Sequence, residues 1–193
     1  MNTTSTFTHR ISRSIPAALL VYAAARWLDQ RNDILGDGLA WDVGHAAFLA
    51  AFVMFAPVVV IANRAIARAG RVRTAWVAGA VGLVGVGLFW WVILGDLFPR
   101  VEEIYELPDL VMNIGPLAFL VGLVTPLAVL ARQSPRVVPI IAPVAAVTAF
   151  VLLAVNLDLL ALAAVLFAVA LWRLPAATHM ALDPVRMPRL DPA

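Results

Sequence analysis

Residues 39–63 read LAWDVGHAAFLAAFVMFAPVVVIAN. A helix of about 20 apolar residues crosses the hydrocarbon core of a bilayer, and this run is long enough to do so. It contains His45, the one histidine inside an apolar stretch, one turn beyond Asp42. It leads into RAIARAGRVR, where Arg64, Arg68, Arg71 and Arg73 crowd a short loop. Short arginine-rich loops stay cytoplasmic, so Asp42 and His45 belong to the outer end of their helix. The sidedness of every other segment follows.

Composition supports the membrane reading. The chain is 63% hydrophobic and 13% charged over 193 residues, more apolar surface than a soluble domain of that size buries. Its basic residues are all arginines in membrane-flanking loops, so the net charge of +2 reads as topology and lipid-phosphate contact rather than nucleic-acid binding. The absence of cysteine excludes disulfides, thiolate metal sites and iron–sulfur clusters. The absence of lysine excludes a side-chain Schiff base.

Working outward from residues 39–63, a retained first helix is expected at about 12–30, because no small-residue cleavage site closes its apolar run before Arg26 and Trp27. A third helix is expected at 74–98, with Gly79, Gly82 and Gly85 forming a small-residue stripe that admits a close neighbour. The segment PRVEEIYELPD (99–109) predicts a short surface helix, its acids Glu102, Glu103 and Glu106 following Pro99. The fourth helix, 109–131, contains Pro116 and Pro126 and should bend. The remaining apolar stretch is too long for one crossing, and Asn156 and Asp158 interrupt it. It divides into helices at 137–155 and 158–174, followed by a flexible cytoplasmic tail over 175–193.

The expected fold is an all-α polytopic integral membrane protein, a single domain of six transmembrane helices over 1–174 with both termini cytoplasmic. Charge segregates accordingly: only Arg26, Arg31 and Arg100 fall outside, the other eleven arginines inside, while only Asp183 and Asp191 of the twelve acids lie inside. The expected location is a plasma membrane, in a bacterium the inner one.

Polar side chains within spans are costly, and those here gather in the outer third. Asp42 and His45 are three apart on one helix face, and Asp109 and Asn113 four apart on another. Asp96 ends the third helix, while Asn156 and Asp158 turn the fifth into the sixth. The cytoplasmic half offers little but apolar residues, Gly, Pro and Thr148, too few polar stations for an ion path. The leading expectation is an apolar pocket open to the outer leaflet, capped by Asp42, His45, Asp109 and Asn113. Trp41, Trp90, Asp96, Asn156 and Asp158 are further lining candidates, and the ligand is lipid-like or lipophilic.

A second reading makes Asp42, His45 and Asp109 acid–base catalysts for cyclisation, isomerisation or hydrolysis of an isoprenoid- or lipid-like substrate. A third makes the chain an accessory subunit, docking its glycine stripe and acidic loop on a membrane-protein partner or on a second copy of itself. No cofactor is expected. No metal site is expected either, since His9 and His179 lie across the membrane from His45.

Overall fold

Proline, glycine and charge set the element boundaries in the computed structural model, which describes residues 3–31, 38–104, 108–133, 135 and 138–176. The elements among them are α1 (Thr3–Asp29), α2 (Leu39–Arg68), α3 (Val72–Leu97), α4 (Pro99–Ile104), α5 (Asp109–Gln133), α6 (Ile141–Val155), a 3₁₀ turn (Leu157–Leu159) and α7 (Leu160–Leu171). There is no strand among the described residues.

Several boundaries differ from the sequence reading. Helix α1 begins at Thr3 rather than near 12, because the buried stripe Ile11, Ile15, Leu19 and Tyr22 continues backward through buried Thr8 and Ser12 at helical spacing. Helix α2 carries on through Arg64 and stops at Gly70. There φ is +83°, Arg71 N–H donates to the Ile66 carbonyl and Gly70 N–H to the Ala67 carbonyl, a Schellman ending that reverses the chain within the arginine loop. Helix α6 starts at Ile141 instead of 137, since Pro139 offers no donor and Pro143 is tolerated only in a first turn. Helix α5 runs unbroken through Pro116 and Pro126. Glu106 and the tail beyond 176 lie outside the described residues.

Among the described residues four stretches are long and apolar enough to cross a membrane: Leu39–Arg68, Val72–Leu97, Asn113–Gln133 and Leu157–Ala176. Helix α6, at 15 residues, is shorter, and α1 is interrupted by Arg10, Arg13 and Arg26. The protein is therefore all-helical and built for a multi-pass membrane location. Its lipid-facing surface agrees: Val84, Leu117, Val144 and Leu162 are each at least half exposed, as a continuous apolar exterior requires.

The helices close a ring in the order α1, α2, α3, α5, α6, α7 and back to α1, with α2 also touching α5 across it. Short connections make neighbours antiparallel. Arg64, Arg68, Arg71, Arg73 and Arg132 thus lie at one end of the bundle, and Asp29, Asp42, Asp96 and Asp158 at the other. Aromatic rings fill the middle. Phe52 stacks on Phe89 at 4.1 Å, and Phe55 meets Phe119 at 4.9 Å and Phe167 at 5.2 Å, so helices α2, α3, α5 and α7 interlock. Elsewhere small residues face inward, as with Ala142, Ala145, Ala146 and Ala149 against Ala163 and Ala164 where α6 packs on α7.

The glycine stripe is used within the chain. A Cβ on Gly82 would come within 2.7 Å of Gly122 Cα, and one on Gly85 would land on the Phe119 main chain, so α3 and α5 cross backbone to backbone. Beside this crossing sits Asn63, which corrects the expectation of an apolar inner half. It is buried, and its Nδ2 donates to the Val59 carbonyl at 2.9 Å and to the Gly122 carbonyl at 3.2 Å. The second bond has a clear cause: Gly122 lies four residues before Pro126, which has no N–H to give it. Asn63→Ala is expected to destabilise the bundle by about 1–3 kcal/mol. In the Pro126→Ala background, where a main-chain donor returns, the cost should largely vanish. Thermal unfolding in detergent of the two single variants and the double measures this coupling, and additive effects would reject it.

Candidate functional site

Two polar clusters form at the acidic end, and α1 joins them. The first is closed. His45, only 3% exposed, points its Nδ1 at the Trp41 carbonyl, 3.0 Å away and one turn earlier. A carbonyl only accepts, so Nδ1 is the donor of this bond. Its Nε2 lies 3.6 Å from Asp96 Oδ2 on α3, and the Trp41 indole N–H donates to the Asp96 carbonyl at 3.2 Å. The Trp41 ring (3.9 Å between centroids) and the Tyr22 ring (5.2 Å) cover the imidazole. The adjoining space, shared with Arg26, Asp29 and Gly44, has a volume of about 10 Å³, enough for one water at most. This cluster clamps the start of α2 to the end of α3 and leaves no room for a substrate.

The second cluster is open. A groove of about 380 Å³ runs between α1 and the 3₁₀ turn leading into α7, within the size range of small-molecule sites. Its walls are apolar: Leu20, Ala23, Ala24 and Trp27 from one side, Leu157 and Ala161 from the other. Its polar end is built by Arg26, Gln30 and Asp158. Arg26 Nε lies 3.6 Å from Asp158 Oδ1, to which Gln30 Nε2 donates at 2.8 Å. Asp158 N–H in turn donates to Asn156 Oδ1 at 2.8 Å, an N-cap that fixes the 3₁₀ turn and aims the carboxylate into the groove. The Arg31 guanidinium lies 3.4 Å from the Trp27 ring centroid, a cation–π contact at the rim.

The residues singled out from sequence therefore separate. Trp41, His45 and Asp96 converge, and Asn156 and Asp158 shape the groove. Asp42 is exposed in the first turn of α2, where an acid complements the helix dipole, and does not orient His45. Asn113 is exposed on α5. Asp109 begins α5, but its side chain lies outside what is described. Trp90 packs half-buried against the core, its indole N–H buried without a hydrogen-bond partner among the described residues. Arg26 and Gln30 were missed. Their signal was an outer arginine one turn before a glutamine, which membrane topology alone does not call for. Among the described residues no three His, Asp or Glu side chains gather where they could share a metal ion.

No family model, curated protein or solved structure matches this chain.

Proposed function

We propose that this is a six-crossing plasma-membrane protein, with its arginine-rich end cytoplasmic, that holds a lipid-like molecule in the groove between α1 and the 156–161 segment, in the outer half of the bilayer. One observation carries the reading: a trough of about 380 Å³ with apolar walls presents a guanidinium and a carboxylate at its polar end. That is the pattern of a site for an amphiphile, with apolar walls for the chain and a few polar anchors for the head. The location differs from the pocket expected between Asp42, His45, Asp109 and Asn113, because the phenylalanine cluster occupies the bundle centre. The acid–base enzyme reading is the weaker one. Its central histidine is enclosed, with space for a single water beside it.

Filling the trough tests the proposal. Ala24 and Ala161 line it from opposite sides and are exposed, so Ala161→Trp, alone or with Ala24→Trp, should block the space without touching the core. Native mass spectrometry of the wild type released from mild detergent is expected to show retained lipid. The tryptophan variants should lose it by about tenfold at unchanged melting temperature. Equal retention would place the lipid elsewhere. Reporter tags in the 69–71 turn and beside Pro99 should read cytoplasmic and external respectively.

A further inference from the structure

We propose that the groove selects a phospholipid whose headgroup carries both a phosphate and a primary ammonium, in preference to anionic or choline headgroups. The proposal rests on the groove reading above and adds the chemistry of the head.

The polar end pairs a positive with a negative side chain, Arg26 and Asp158, 3.6 Å apart, and a second guanidinium, Arg31, is engaged with the Trp27 ring at the rim. A purely anionic head approaching Arg26 also approaches Asp158, which offsets part of the attraction; a zwitterion can set its phosphate against the guanidinium and its ammonium against the carboxylate. Both groups have capacity to spare. Asp158 Oδ1 takes the Gln30 and Arg26 contacts, while Oδ2 accepts no bond from the described protein, and the side chain is 57% exposed. The Arg26 side chain is 30% exposed; its Nε is buried beside Asp158, and the guanidinium also reaches the Tyr22 hydroxyl. A guanidinium with five donors still has N–H groups for two phosphate oxygens.

Choline is disfavoured for a separate reason. A quaternary ammonium donates no hydrogen bond and is held by open aromatic faces. Trp27 is the aromatic residue lining the groove, and the Arg31 guanidinium already lies over its ring. What the polar end offers is a hydrogen-bond acceptor, which suits N–H donors.

The occupant is a membrane lipid rather than a free zwitterion because of what surrounds the polar end. Leu20 and Trp27 are 44% and 52% exposed on the open side, so an acyl chain anchored at Arg26 runs out over an apolar surface and adds burial that a soluble head lacks.

The full-length protein in detergent should be titrated with phosphatidylethanolamine, phosphatidylglycerol and phosphatidylcholine of identical acyl chains, with bound lipid counted by native mass spectrometry and folding followed by gel filtration and thermal unfolding. The expected result is a preference of about tenfold or more for phosphatidylethanolamine over each of the others. The isosteric Asp158→Asn should abolish the preference over phosphatidylglycerol while keeping binding itself, and Arg26→Gln should weaken all three. Equal binding of the three lipids by the wild type overturns the headgroup assignment and leaves the groove reading standing. Binding unaffected by Ala161→Trp overturns the groove reading. Phosphoethanolamine displacing the lipid at equal concentration overturns the assignment to a lipid.

Discussion

Gly85→Val is expected to prevent α3 and α5 from seating, with loss of most monodisperse protein and a melting temperature lowered by about 10 °C or more in what remains. Even a first methyl would land on the Phe119 main chain, and backbone, unlike a side chain, cannot turn aside. Overpacking a core typically costs about 1–3 kcal/mol; parting two helices that touch along their axes exceeds that range, and each kcal/mol lowers the midpoint of a chain this size by about 2–4 °C. Gly87 supplies the control on the same helix, since a Cβ there meets nothing within 4 Å. Gly87→Ala should be neutral or slightly stabilising through helix propensity. Thermal unfolding monitored by gel filtration compares the pair, and equal behaviour would mean that α3 and α5 do not cross where described.

The second large effect belongs to Phe55, fully buried where α2 meets α5 and α7. Phe55→Ala removes a ring that three other phenylalanines touch, namely Phe52, Phe119 and Phe167. The lost burial and the void together should cost about 3–5 kcal/mol. Phe55→Leu, which keeps much of the volume, should cost well under half of that. Unfolding by denaturant or heat in a fixed detergent gives both values. A near-neutral Phe55→Ala would show that the centre of the bundle is loosely packed and would reopen the case for an interior pocket.

Much of the architecture was legible because membranes impose a strict grammar. Pro99, the Asn156–Asp158 interruption and the segregation of Arg64–Arg73 from Asp29, Asp96 and Asp158 marked ends and turns, and the glycine stripe announced a close helix contact, while the Gly70 stop emerged only in the structure. The inward faces were harder to read. Polarity does not distinguish the two sides of α6 or α7, and size does: Ala145, Ala149 and Ala163 face in, Val144, Val151 and Leu162 out. The candidate site was legible in part. Spacing paired His45 with Asp42, yet His45 turned inward to a carbonyl of its own helix and to Asp96 on the next, a choice fixed by which helices become neighbours. Arg26 was hidden for a related reason. An arginine at a membrane interface has an ordinary explanation, and its partner is 132 positions away in the chain, at Asp158.

That separation bears on biogenesis. At about 5–20 residues per second of synthesis, α1 emerges and waits on the order of ten seconds before the segment that answers Arg26 and Gln30 has been made. Over that interval the α1 wall of the trough lacks its Asp158 partner, and Arg26 has only contacts such as that to Tyr22 on its own helix. The cleft is thus half-built for most of synthesis, and it is completed only once the 156–171 segment arrives to close the circle.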